Sequence, residues 1–214
     1  MTESKPSARL AEEVVIFANG EALKTGAQAL EPDHSPRTPV SEEPTVEPGK
    51  LKGLVGGESL VAQVEQFLYY QSELLDRKFW DQYIDLFADD GVYWMPATTD
   101  QNEWLDSPSI FAEDKRLMQV RAGRLTHPNA WSQAPQWGTS HLVGNVAIES
   151  TDAVTVVVRS RFQMTELRRD TLRHFSGTYR HALRRIGEEF KIVVQRVDLL
   201  NGQTPFEYVL QAWV

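Results

Sequence analysis

The segment from Val64 to Pro96 constrains the fold of this chain more than any other stretch. Around its start, apolar side chains recur at the spacing of one helix face, and Ser59 precedes them as a suitable N-cap. The apolar positions of this face are Leu60, Val64, Phe67, Leu68 and Leu75, with Gln71 as the one polar exception. The pattern predicts a helix that turns one face to a core.

A second helical pattern follows at once and leads into a strand. Its apolar positions are Phe79, Trp80, Tyr83, Ile84, Leu86 and Phe87. We expect Asp89-Asp90-Gly91 to end this helix, because a glycine just past the last periodic residue is typical of a helix C-terminus. Residues 92–95 are then predicted to be extended up to Pro96. Two helices and an aromatic strand would form the hydrophobic wedge around which the later strands fold.

The second half of the chain alternates with a period of two. From Val154 to Met164 the even positions are mainly apolar and the odd positions mainly polar or charged, which is typical of an antiparallel strand with one buried face. Similar strands are predicted at 141–148, 171–185 and 190–197, the last two joined by the turn at 187–189. Helices followed by a strand meander predict an α+β fold.

The two halves are joined by shorter elements. Ile110-Phe111 is predicted to be a short strand, and residues 117–124 a helix of one or two turns. Residues 130–140 carry Trp131 and Trp137 among Gly, Pro and Ser, which predicts an ordered loop. Because tryptophan combines a large apolar area with a polar tip, we interpret both as partner contacts, with a lid over the domain's own core as the alternative.

The N-terminal part differs from the rest in composition. Residues 1–57 hold six Lys/Arg against nine Asp/Glu, and the stretch 31–57 is rich in Pro, Glu, Ser and Gly. Such a segment buries too little apolar surface to fold alone. We therefore divide the chain into an extension with a linker, 1–57, and an α+β domain, 58–214. Only Val14–Phe17 is apolar enough to dock, and we expect it to lie on a neighbouring subunit if the extension is more than a solvated tail.

Composition excludes several classes of function. The net charge of −8 argues against a nucleic-acid-binding protein, which usually carries a basic surface. No apolar run approaches the length of a membrane span, and no signal peptide is evident. The chain has no cysteine, which excludes disulfides, thiolate metal sites and cysteine nucleophiles. We expect a cytoplasmic protein.

Four histidines fall in the predicted domain, but their spacing does not favour a metal site. His127, His141, His174 and His181 include no pair spaced i, i+4 on a helix beside a carboxylate. The odd offset between His174 and His181 places them on opposite faces of one strand. We interpret all four as structural.

An acid–base pocket is the stronger alternative. A curved sheet wrapped on helices forms a cone whose mouth could hold a small molecule, with Asp90, Tyr93 and His141 as candidate base and hydrogen-bond donors. Asp90 is equally explained by the end of the second helix, and Tyr93 by core packing. The sequence leaves both interpretations open.

Several tracts together resemble the small (beta) subunits of aromatic-ring-hydroxylating dioxygenases. They are FLYYQSELLDRKFWDQYIDLFADDGVYWMP, AWSQAPQWGTSHLVGNVAIE, VRSRFQMTELRRD and YRHALRRIGEEFKIVVQRVDLL. With an aromatic residue near the C-terminus, the resemblance covers about residues 60–214. It implies a cone of the nuclear-transport-factor-two (cystatin-like) type, in which N-terminal helices pack on a curved antiparallel or mixed sheet.

The resemblance also implies the role of the chain. It would be a structural small subunit in the degradation of aromatic compounds, in a heterohexamer of three large (alpha) and three small (beta) subunits joined through the sheets of the small ones. The Rieske [2Fe-2S] cluster and the mononuclear iron would belong to the large subunit, so this chain would hold no catalytic, cofactor-binding or metal residue. The same fold also hosts dehydratases and isomerases, so a stand-alone pocket enzyme or a small-ligand-binding protein is the alternative.

The predicted sheet supplies candidate interface residues. The odd positions of the strand at 154–164 include Arg159 and Arg161, flanked by Val157 and Gln163. Arginine suits a mixed polar and apolar interface because its guanidinium is a rigid fork of donors. With Trp131 and Trp137, these two arginines are the residues that we expect to contact a partner.

Overall fold

The computed structural model of the chain describes residues 16–18, 21–23, 59–105, 108–127, 129–130, 137–200, 202, 210 and 213–214. The chain divides into two compact units, residues 1–46 and 47–214. In the first unit, β1 (Ile16–Ala18) pairs antiparallel with β2 (Glu21–Leu23). β1 overlaps the predicted docking segment at Ile16 and Phe17, whereas Val14 and Val15 lie outside the described residues. The division at 57/58 stays a prediction.

The second unit begins with the two predicted helices. α1 spans Leu60–Asp76, and the Ala62 amide donates to the Ser59 hydroxyl at 3.3 Å, so the predicted N-cap is confirmed. α2 spans Trp80–Asp85 and buries three residues of its short length. Gln71, the polar exception on the apolar face of α1, is buried with its neighbours. The spacing of the apolar residues therefore predicted the buried face of α1 correctly, including the position that the polar Gln71 occupies.

The expectation that Asp89-Asp90-Gly91 ends the second helix is wrong. Helix α2 already ends at Asp85, and β3 (Phe87–Pro96) runs through these three residues. Phe87 pairs with Ile192 and Val92 with Val194, so the residues between form a bulge on β3. A Cβ atom on Gly91 would lie 2.7 Å from the Ile192 carbonyl oxygen. The glycine therefore permits close approach of two strands.

The remaining elements build one six-stranded sheet. They are β4 (Ser109–Asp114), α3 (Lys115–Leu125), β5 (Trp137–Thr151), β6 (Thr155–Arg168), β7 (Thr171–Ile186) and β8 (Glu189–Leu199). The strand order is β4-β3-β8-β7-β6-β5, with β3 and β8 parallel and every other pair antiparallel. The helices pack on one face of this curved, mixed sheet, so the predicted α+β fold is confirmed.

Period-two alternation correctly predicted the buried face of β6. Val156, Val158, Ser160, Phe162 and Met164 are all buried and face the helices. On β7, Phe175, Tyr179 and Leu183 are buried on the same face. The predicted loop at 130–140 is wrong from residue 137 onward, because Trp137 begins β5 and pairs with Arg168. Of the described helices, none has both the length and the apolar character needed to cross a membrane.

Candidate functional site

The structure separates the three candidate acid–base residues. Asp90 and Tyr93 lie on β3, whereas His141 lies on β5, four strand positions away. At about 4.8 Å per strand, this amounts to roughly 19 Å along the sheet. Asp90 is also exposed at the surface, whereas Tyr93 is fully buried in the core. The arrangement does not support the predicted acid–base pocket.

Asp90 is an exposed ion-pair partner. Its carboxylate accepts from both terminal nitrogens of Arg184, at 2.8 and 2.7 Å. The hydrogen bonds from Arg184 lower the pKa of Asp90, so the carboxyl is ionised at neutral pH. Asp90 thus links the bulge of β3 to β7 on the solvent side.

Tyr93 is fully buried among the side chains of the core. Its hydroxyl donates to the Val214 carbonyl at 3.3 Å and accepts from the Val214 amide at 3.2 Å. Burial raises the pKa of Tyr93 far above its usual range, which keeps the phenol neutral. Its role is to fix the end of the described chain against β3.

His141 belongs to a local cluster with Asp76, the last residue of α1. Asp76 accepts from the Thr139 hydroxyl at 2.8 Å and from the His141 amide at 2.9 Å. The His141 ring nitrogen Nδ1 lies 2.6 Å from the same carboxylate. These contacts tie α1 to β5, which lies at one edge of the sheet.

Replacing Asp76 with Ala should destabilise the unit by about 2–3 kcal/mol. The change removes the acceptor of the Thr139 hydroxyl and of the His141 amide. A buried donor left without an acceptor costs about 1–3 kcal/mol. Urea unfolding measures the effect. The matched control is Asp170→Ala, in the exposed turn between β6 and β7, which should stay within about 0.5 kcal/mol of wild type. Equal stability of the two variants would contradict the assigned role.

Trp213 packs in the core beside α2. The indole is fully buried, with ring centroids 5.6 Å from Trp80 and 5.4 Å from Tyr83. Its Nε1 donates to Glu113 at 3.0 Å, and Glu113 also pairs with Arg121. The sequence analysis did not identify this contact.

A row of polar side chains crosses the buried face of the sheet. Tyr93 on β3 is in register with Gln195 on β8, and Gln195 with His181 on β7. The Tyr83 hydroxyl donates to the Gln195 amide oxygen at 3.0 Å. His181 is fully buried, and neither ring nitrogen has a hydrogen-bond partner among the described residues. Burial lowers the pKa of His181 to about 3, so the ring is neutral at neutral pH.

The other histidines do not gather with it. His174 is exposed and contacts the Thr165 hydroxyl, on the opposite face of β7 from His181, as the odd offset predicted. The His127 ring accepts from the Asn129 amide at 3.1 Å. Within the described part of the chain, no group of three or more His, Asp or Glu residues is placed to hold a metal ion.

An open groove of about 370 Å³ lies between α1, α2 and the turn from β7 to β8. Its aromatic walls are Phe67, Tyr70 and Phe190, and its polar lining consists of amides and carboxylates with one lysine. None of the candidate acid–base or interface residues lines it.

The candidate interface residues lie in different environments. Trp131 lies outside the described residues. Trp137 is 8% exposed and stacks on Trp80 at 6.2 Å, with Lys78 at 4.0 Å from its ring, which are the contacts of a core residue. Arg159 and Arg161 lie on the solvent face of β6. The interface assignment of these residues stays a prediction.

A basic row crosses the solvent face of the sheet. Arg159 on β6 is in register with Arg180 on β7, and Arg180 with Arg196 on β8. Like charges directly opposite each other repel. Glu149 lies between the first two, accepting from Arg159 at 3.2 Å and from Arg180 at 2.8 Å. Arg161 donates to the Thr178 hydroxyl at 2.5 Å.

Comparison with known proteins gives a consistent result. A family profile described as "Ring hydroxylating beta subunit" matches residues 71–204. The benzoate 1,2-dioxygenase subunit beta of Acinetobacter baylyi is 27% identical over 146 residues, covering 66% of this chain and 86% of the relative. The small oxygenase component of the p-cumate 2,3-dioxygenase system of Pseudomonas putida is 30% identical over 140 residues, covering 64% of this chain and 78% of the relative.

Solved structures agree with these relatives. The beta subunit of benzoate 1,2-dioxygenase from Burkholderia mallei is 30% identical with a TM-score of 0.59, and the match covers 70% of this chain and 97% of that one. A chain of naphthalene 1,2-dioxygenase, at 18% identity, matches 71% of this chain and 82% of its own length with a TM-score of 0.56 and supports the fold alone.

Proposed function

Because the chain belongs to the ring hydroxylating beta subunit family, we propose that it supports the iron-containing large subunit of a multicomponent aromatic-ring dioxygenase. The match over residues 71–204 is the observation that carries the proposal. It covers the C-terminal end of α1 from residue 71, all of α2 and α3 and every strand of the six-stranded sheet. The family resemblance inferred from the sequence is confirmed.

A supporting role is consistent with the chemistry of the chain. The three candidate acid–base residues do not form a common site, because Asp90 is exposed, Tyr93 is buried in the core and His141 lies on β5. A Rieske cluster requires two cysteine ligands, and the chain has no cysteine. In this proposal the Rieske [2Fe-2S] cluster and the mononuclear iron belong to the large subunit.

The proposal is tested by purifying the tagged chain together with its large subunit. We expect a stable complex in which iron and dioxygenase activity follow the large subunit, while the chain purified alone carries neither. Stoichiometric iron in the chain alone, or no association with a dioxygenase large subunit, would contradict the proposal. Native mass spectrometry gives the stoichiometry, for which we expect three large and three small subunits.

The small subunits are proposed to associate through the solvent face of the sheet. This face presents Val157, Arg159, Arg161 and Gln163 on β6. Arg159 and Arg180 share the single carboxylate of Glu149, so additional carboxylates of a neighbouring copy would be well placed to pair with them.

Arg159→Glu should weaken self-association by at least about tenfold, a loss typical of a central interface residue. The new carboxylate at position 159 would face Glu149, and the basic row would lose one guanidinium group. Sedimentation equilibrium of the free chain measures the effect. Arg169→Glu makes the same charge change in the exposed β6–β7 turn and serves as the control. If both variants associate like wild type, the sheet face is not the contact.

A further inference from the structure

The solvent face of α3 is basic although the chain as a whole is acidic. The helix contains Lys115, Arg116, Arg121 and Arg124 and no acidic residue, in a chain whose net charge is −8. Two of these cations are used within the chain. Lys115 donates to the Phe87 carbonyl at 3.2 Å, and Arg121 pairs with Glu113.

The other two cations lie on the exposed face beside apolar side chains. Leu117 is 49% exposed and Val120 is 56% exposed. At about 100° per residue, positions 116, 117, 120, 123 and 124 fall within roughly one third of the helix circumference, opposite the buried Met118 and Ala122. Among the described residues, neither Arg116 nor Arg124 has a hydrogen-bond or ion-pair partner. We call positions 116, 117, 120, 123 and 124 the outer face of α3.

Two residues of the outer face reduce the stability of the helix that carries them. Gly123 lies inside the helix, where glycine is less favourable than alanine, and a Cβ atom there would meet none of the described residues within 4 Å. Arg116 lies in the first turn, where the helix dipole disfavours a cation. Packing among the described residues therefore explains neither residue.

An intermolecular contact explains both. The missing side chain of Gly123 lets a partner approach the helix backbone closely. Two guanidinium groups that have no partner among the described residues lie around Leu117 and Val120, which matches the apolar centre and polar rim of a protein interface. Carboxylates on the partner are the complement of these guanidinium groups. Although the chain as a whole is acidic, an acidic partner surface would be attracted to α3, as it would be to the basic row of the sheet.

We propose that the outer face of α3 docks onto a carboxylate-bearing surface of the large dioxygenase subunit. This inference rests on the proposed function, which supplies the partner. The docking face is separate from the basic row of the sheet, so the two surfaces serve contacts with different subunits.

Gly123→Gln separates docking from folding because it should preserve or increase the stability of the helix while it weakens binding to the large subunit. The free chain should keep or raise its melting temperature, since glutamine favours helix and its Cβ atom would meet none of the described residues within 4 Å. Affinity for the large subunit, measured by biolayer interferometry with the purified full-length chain, should fall at least about tenfold. Unchanged affinity of this folded variant would overturn the proposal.

The double variant Arg116→Glu with Arg124→Glu tests the charge. Its affinity for the large subunit should fall more than that of Gly123→Gln, and wild-type binding should weaken as salt rises. Arg169→Glu is the matched control and should bind the large subunit like wild type. Loss of self-association with retained large-subunit binding would overturn the proposal and assign the outer face to a second copy. If the wild-type chain does not bind the large subunit, the proposed function itself fails.

Discussion

Trp213→Ala is expected to lower the free energy of unfolding by about 3–5 kcal/mol, the range for removing a buried aromatic side chain. Trp213 is fully buried and contacts both Trp80 and Tyr83, so its removal opens a cavity between α2 and the sheet. For a chain of this size, about 2–4 °C of melting temperature corresponds to each kcal/mol. Differential scanning calorimetry should therefore show a decrease on the order of 10 °C.

A second substitution separates packing from hydrogen bonding at this position. Trp213→Phe keeps an aromatic ring but removes the donor to Glu113, so it should cost less than the alanine variant. Tyr69→Ala is the control, because Tyr69 is 44% exposed on α1 and should change stability far less. If Trp213→Ala unfolded at the temperature of wild type, the described burial of Trp213 would be wrong.

The sequence predicted those parts of the fold that depend on one-sided burial. The apolar period of α1 and the alternation of β6 report directly which face of each element is buried, and the structure confirms both. Ser59 was identifiable because an N-cap is a local interaction between a side chain and the next turn.

The failures arose where a local pattern had two physical explanations. Asp89-Asp90-Gly91 suits a helix end, but pairing of β3 with β8, about a hundred residues later in the chain, makes it a strand bulge. Burial of Trp213 and the hydrogen bond of Tyr83 to Gln195 likewise depend on contacts distant in sequence. The spacing of apolar residues indicates which face of an element is buried, but it does not indicate which residue, distant in sequence, a side chain contacts.

The candidate site was predictable to a similar extent. The resemblance of extended tracts led to the correct family. Individual residues such as Asp90, Tyr93 and His141 suggested a pocket, but Asp90 is exposed at the surface and Tyr93 is buried in the core. The outer face of α3 escaped notice because an exposed leucine or valine alone is ordinary on a protein surface. The outer face of α3 became informative only in the structure, where Lys115 and Arg121 contact partners within the chain. Arg116 and Arg124 have no such partner among the described residues.

Stability should depend on pH through His181 more steeply than through any exposed group. The ring lies between Val158 and Gln195 on the buried face of the sheet, and burial alone lowers its pKa from 6.5 to about 3. Because the folded-state pKa lies below the unfolded value, the unfolded chain binds an extra proton between pH 6.5 and pH 3. The stability contributed by the neutral ring is fully present above pH 6.5 and is lost as pH falls towards 3.

The expected slope is about 1.4 kcal/mol per pH unit, so on the order of 2 kcal/mol should be lost between pH 7 and pH 5. His181→Met replaces the ring with an apolar side chain that cannot be protonated, and urea unfolding of both proteins at each pH isolates the contribution of His181. Carboxylates such as Asp90, whose pKa is lowered by Arg184, also lose stabilising contacts in acid, but they do so in both proteins. We therefore expect the difference in unfolding free energy between wild type and His181→Met to shift in favour of the variant as pH falls. If the unfolding free energies of the two proteins changed in parallel with pH, His181 would have a hydrogen-bond partner or contact with solvent in the folded state. The described burial of its ring without a partner would then be wrong.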